Sequence, residues 1–210
     1  KEVAVALSAR FNRLASVAAA TVGWNTLHLN IVERQTAVLW CPAPPLAMPT
    51  GRQAGQAENC WYLDEAGLAV ARAPRFSSSP LVVVVGSWPS ASSSTPTINS
   101  QPLPRSIFAR LLELALSLEG FFQDTPLTGV QVRQITANNA SDYEFYLADI
   151  HHPDSGFNVI IAREQTTVEI LTLLRSVLAV PVFQEELTAG QKLEYLDLRF
   201  DRKVFYRFRE

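Results

Sequence analysis

No apolar run in this 210-residue chain approaches the roughly 20 residues that a membrane helix requires. The longest, Pro80-Leu-Val-Val-Val-Val-Gly86, has the length of a buried strand. Clusters of basic residues are missing too. With a formal net charge of −2 and scattered cations, the chain offers no field to attract nucleic acid or an anionic membrane surface. The nine glycines are dispersed, and none sits in a phosphate-cradling pattern. The Gly-x-Ser-x-Gly frame of a nucleophile elbow is also absent. Cysteine is scarce: Cys41 and Cys60 are too few for a zinc site unless His joins them, and no His lies near. There is no initiator Met and no signal peptide, which suits the soluble part of a longer protein.

What is present describes a folded protein: 48% hydrophobic and 18% charged residues, in a chain long enough for one large or two small domains. Val3, Leu7, Phe11 and Leu14 have helical spacing over Glu2 to Leu14. Val17 to Thr21 reads as extended, and Leu27, Leu29 and Ile31 alternate as a strand, followed by a turn at Arg34-Gln35 and a second strand from Thr36 to Trp40. Residues 42–59, opening with Pro-Ala-Pro-Pro, predict a long exposed loop. Asp64-Glu-Ala-Gly67 is a turn signal, and residues 86–104, rich in Ser and Pro, predict a flexible crossover.

Ile107, Leu111, Leu114, Ala115, Leu118 and Phe122 then share one helical face, with an expected end near Gly120. Strands are predicted over Val130 to Thr136, Tyr143 to Ile150 and Phe157 to Ala162. A helix with Val168, Leu171, Leu174 and Leu178 on one face leads to two last strands. This is an α+β pattern with a largely antiparallel sheet.

Few residues suggest chemistry. His151, His152 and Asp154 form the one cluster with a catalytic look, yet adjacent strand residues point to opposite faces, and Pro153-Asp-Ser-Gly156 is ordinary turn chemistry. Asn139-Ala-Ser141 matches a glycosylation triplet that arises easily by chance. Glu33-Arg34 reads as a solvated charge pair at a turn. Cys41 and Cys60 suit either one disulfide across two paired strands or two thiols packed as small hydrophobes. No catalytic residue, cofactor or metal is expected.

The end of the chain is more telling. Tyr195, Asp197 and Arg199 alternate with Leu196, Leu198 and Phe200, Asp201-Arg202 makes a tight turn, and Val204, Tyr206 and Phe208 alternate with Phe205, Arg207 and Arg209. A last strand has no successor to pair with. That predicts a sheet edge able to accept a partner's strand, with Lys203, Val204, Phe205, Tyr206 and Arg207 as contacts and Asp197, Arg199 and Arg202 orienting the rim.

Tyr195-Leu-Asp-Leu-Arg-Phe200 followed by Lys203-Val-Phe-Tyr206 resembles the C-terminal signature of the bacterial cell-division family FtsQ/DivIB. Phe11-Asn-Arg-Leu-Ala-Ser-Val-Ala-Ala-Ala-Thr-Val22, then Thr26-Leu-His-Leu-Asn-Ile-Val-Glu-Arg34 and Ala37-Val-Leu-Trp40, is similar to that family's POTRA domain. Tyr62-Leu-Asp-Glu-Ala-Gly67 with Ala73-Pro74 matches the segment that follows it. The likeness covers nearly all of Phe11 to Phe208 in the right order.

The resemblance implies a partial POTRA-like domain over residues 1–78, whose first strand and helix are not found after Lys1. An antiparallel-sheet β domain with two helices follows over residues 79–210. It implies a single-pass protein of the inner (cytoplasmic) membrane, with this portion extracytoplasmic and the membrane helix outside this chain. It further implies no catalytic activity, a divisome scaffold role, and strand pairing with FtsB of an FtsB–FtsL complex along Arg202 to Phe208. An exported location favours the Cys41–Cys60 disulfide. The alternative is a POTRA-containing accessory of an outer-membrane assembly or secretion system, against which stands the lack of an internal repeat or of serial barrel strands.

Overall fold

The computed structural model describes residues 2–42, 60–74, 81–86, 97–137, 141–149, 152 and 155–209. The predicted loop beyond Pro42, most of the Ser/Pro crossover, the 78/79 boundary, Asn139, His151 and Asp154 lie outside the described residues. The fold is α+β. Helix α1 (Glu2–Arg10) and strands β1 (Leu14–Val22) and β2 (Thr26–Glu33) come first. Then follow β3 (Thr36–Pro42), β4 (Trp61–Asp64), β5 (Ala69–Arg72), β6 (Val83–Gly86) and helix α2 (Arg105–Gln123). Strands β7 (Val130–Thr136), β8 (Asp142–Asp149) and β9 (Phe157–Ala162) precede helices α3 (Thr167–Leu178) and α4 (Pro181–Thr188), and β10 (Leu193–Phe200) and β11 (Lys203–Phe208) close the chain.

β1 and β2 form an antiparallel pair of their own, and the other nine strands form one sheet in the order β11-β10-β9-β8-β7-β6-β3-β4-β5. The pairs β9–β10, β3–β6 and β6–β7 are parallel and the remaining pairs antiparallel. β9 and β10 are parallel because α3 and α4 carry the chain back across the sheet between them, as parallel neighbours require. The change of sheet falls between β2 and β3, and the large sheet runs through strands on both sides of position 78/79.

The core lies between this sheet and α2, α3 and α4, joining Phe108, Leu111, Leu114, Leu118 and Phe122 of α2 to alternate residues of the strands. Fully burying each such side chain contributes about 1.5–3 kcal/mol. On β3 and β6 the opposite face is covered as well: Leu39, Cys41, Cys60, Val83 and Val85 form a second buried cluster. Strands buried on both faces read as unbroken apolar runs, which explains the valine stretch ending at Gly86. Cys41 and Cys60 are joined in a disulfide with Cα atoms 4.3 Å apart, in the position that continues the Trp40–Trp61 pair of the β3–β4 ladder.

The helices correct three expectations. α2 runs through Gly120 to Gln123, because Phe122 packs edge-on against Phe157 with ring centres 5.4 Å apart. That burial outweighs the modest helix cost of one glycine. α3 buries Ile170, Leu174 and Val177, whereas Val168 is 73% exposed. Two apolar stripes overlap on this helix, and the one aligned with its capping box at Thr166 and Glu169 is the one that packs. α4, which the sequence pattern did not suggest, begins with Pro181 in its first turn and buries Phe183 alone.

The α1–β1–β2 unit joins the sheet through Arg34. Its Nη1 donates to Asp64 Oδ2 at 2.6 Å and its Nε to the Asn12 carbonyl at 3.2 Å. Asp64 Oδ1 meanwhile accepts the Ala66 and Leu68 amides, both at 2.9 Å. Gly67 closes this turn at φ +77°, where an added Cβ would lie 2.9 Å from the Phe108 ring. Arg34 is therefore a half-buried link between the two sheets, not a solvated charge; the carboxylate that claims it lies 30 residues away, beyond any local pattern.

Candidate partner-binding edge

β11 is the outermost strand of the nine-stranded sheet, hydrogen-bonded to β10 and, among the described residues, to no strand on its other side. Its residues alternate in exposure. Val204, Tyr206 and Phe208 face the helices and pack on the core. Phe183 of α4 holds this face, with ring centres 4.9 Å from Tyr206 and 5.3 Å from Phe208. Tyr206, expected among the contacts, is thus an anchor of the strand. Lys203, Phe205 and Arg207 are exposed on the outer face. Arg207 Nε lies 3.0 Å from Glu194 Oε2 across the ladder, and Arg202 occupies the turn with φ 60°.

Phe200 departs from its predicted burial. It is 46% exposed, while Leu196 and Leu198 are fully buried. The reason is a bulge: Asp197 pairs with Phe205 and Phe200 with Lys203, so Leu198 and Arg199 together oppose Val204. The extra residue brings Phe200 to the side of Phe205. Their rings meet edge-on at 5.1 Å, and Phe205 is itself 50% exposed. Strict alternation conceals this pair, since one inserted residue reverses the facing of everything beyond it.

Asp197 and Arg199 serve the bulge more than the rim. Asp197 is 7% exposed. Its Oδ1 accepts the Arg199 amide at 3.2 Å and Arg199 Nε at 2.9 Å, and its Oδ2 accepts Arg199 Nη2 at 2.6 Å. Arg199 Nη1 reaches on to Asp142 Oδ2 at 2.7 Å, tying β10 to β8. Burial pushes the Asp197 carboxyl up, but the hydrogen bonds and charge of Arg199 outweigh it and hold the carboxyl below its ordinary value. The bonds to Asp197 and Asp142 raise the Arg199 guanidinium in turn. Burial raises the neighbouring Glu144 carboxyl, with Arg199 opposing the shift.

The far end of the edge is held by Arg209. Its amide donates to the Lys192 carbonyl at 2.8 Å, and its Nη2 to the Gly156 carbonyl at 2.6 Å. Position 156 admits only glycine, since a Cβ there would run into the Leu147 carbonyl oxygen. Asp142, Gly156, Gln165 and Phe183 all support the edge and were not legible as site residues, being brought to it by sheet pairing and helix packing. His152 is exposed, and among the described residues no group of three or more His, Cys, Asp or Glu is placed to hold a metal. Comparison with protein-family models and with curated proteins finds no match to this chain.

Proposed function

We propose that this chain is the extracytoplasmic part of a non-enzymatic cell-division scaffold of the FtsQ/DivIB type, which recruits an FtsB–FtsL-like complex by strand addition to β11. The observation that carries the reading is the position of β11: among the described residues it is the outer strand of a large sheet, and it bears an exposed aromatic, Phe205. An edge of this kind supplies main-chain donors and acceptors for affinity and alternate side chains for specificity. Aromatic residues are enriched among those that dominate interface energy. The Cys41–Cys60 disulfide supports an extracytoplasmic location, because such bonds persist in oxidising compartments.

The test is calorimetric titration of the chain with the soluble extracytoplasmic segment of the FtsB-like protein from the same source. Micromolar or tighter binding is expected. Phe205→Glu, at an exposed position, should weaken it at least tenfold, or about 1.4 kcal/mol, with an unchanged circular dichroism spectrum. Binding of native strength to a folded Val204→Pro variant, in which a backbone donor of β11 is gone, would sink the strand-addition reading. Absence of binding to the unaltered chain would sink the partner assignment.

A further inference from the structure

The bulge in β10 frees two backbone groups, and separate side chains take both of them. Asp197 accepts the Arg199 amide, and Gln165 Nε2 donates to the Leu198 carbonyl at 2.6 Å. Gln165 lies in the turn between β9 and α3, and its Oε1 accepts the Ala162 amide at 2.8 Å. The parallel β9–β10 ladder stops at the pair Ile160–Asp197. Beyond it, the Gln165 amide receives a bond from one strand and gives one to the other, as a ladder residue would.

Gln165 is itself fixed. Its amide donates to the Ala162 carbonyl at 3.2 Å, Arg110 Nη2 of α2 bonds its carbonyl, and the next residue, Thr166, caps α3. A half-buried polar side chain spanning two strands at a bulge costs side-chain entropy, and the bulge it holds is what places Phe200 against Phe205.

Resting on the strand-addition reading of β11, we propose that Gln165 is a positioning residue for the docking edge. Its side-chain amide locks the Leu198–Arg199 bulge and so presents Phe200 and Phe205 as one aromatic surface to the side chains of an added strand. Gln165 itself need not touch the partner.

Gln165→Glu tests this, because the carboxylate still accepts the Ala162 amide but has no donor for the Leu198 carbonyl. In the titration described above, the folded variant should bind about tenfold more weakly, through faster dissociation. Proton NMR of the free chain should lose the Phe200–Phe205 ring contact. In a Phe200→Ala background, which already lacks the paired surface, Gln165→Glu should change affinity little. A lowered melting temperature with native affinity and an intact ring contact would reduce Gln165 to a stabilising residue and overturn the proposal. Equal weakening in both backgrounds would overturn it as well. If the unaltered chain does not bind, the partner assignment falls, and a ring contact that survives Gln165→Glu refutes the positioning role by itself.

Discussion

Three carboxyl groups surround one guanidinium on the outer face of the sheet, and their environments divide their behaviour. Asp197 and Asp142 take the donors of Arg199. Glu144, by contrast, is pushed above the ordinary carboxyl value by burial, with the Arg199 charge opposing the shift. A carboxyl with a raised folded-state value destabilises the fold when ionised, so acidification from neutral pH through that value should add stability. Asp197, held below its ordinary value of 3.8, contributes stability that is full above that value and is lost as pH falls through the lowered one. Thermal melts against pH should therefore rise on mild acidification and fall again in stronger acid. Glu144→Gln should raise the melting temperature at neutral pH and remove the rise. A Glu144→Gln variant that keeps the rise would show another group to be responsible.

Among the elements, the most consequential link is the one between the α1–β1–β2 unit and the large sheet. β1 and β2 contain no buried residue, and Leu27, Leu29 and Ile31 are exposed along β2, so this unit has little core of its own to hold it in place. Arg34 bonds both the α1–β1 connection and the Asp64 turn. Arg34→Ala should leave the buried Asp64 carboxylate without its cation and cost about 1–3 kcal/mol, read as a lower denaturant midpoint. Arg34→Lys restores a charge but not the second, fixed donor, and should recover only part of that loss.

The elements also differ in how readily their sequences betray them. α2 is plain because five turns of one stripe leave a single packing face. α3 offers two overlapping stripes, and only the sheet beneath it decides between Val168 and Ile170. α4 spans two turns with one buried side chain, below the length at which periodicity is visible.

For the whole molecule, the disulfide closes the one covalent link between β3 and β4, whose cysteines are 19 residues apart. Tying the ends of a loop of that length contributes about 3 kcal/mol through the unfolded state. The Cys41→Ser, Cys60→Ser double variant, or the chain under reductant, should show a lower denaturant midpoint by that amount. An unchanged midpoint under reductant would mean that the cross-link adds nothing and the two buried sulfurs contribute through packing alone.

Apart from α4, the order of strands and helices followed from the sequence alone, because periods of two and 3.6 with turn residues between them are local properties of the backbone. So did the β10–β11 hairpin, whose alternation breaks at Asp201-Arg202, whereas its place at the outside of the sheet is set by the strand order. What the tertiary structure decided is which side chains that edge presents. One extra residue in β10 turns Phe200 outward, Phe183 draws Tyr206 inward, and Asp197 and Arg199 are spent on the bulge. Each outcome depends on groups that meet only when distant segments pack, and a bulge costs too little locally to leave a mark in the pattern of residues.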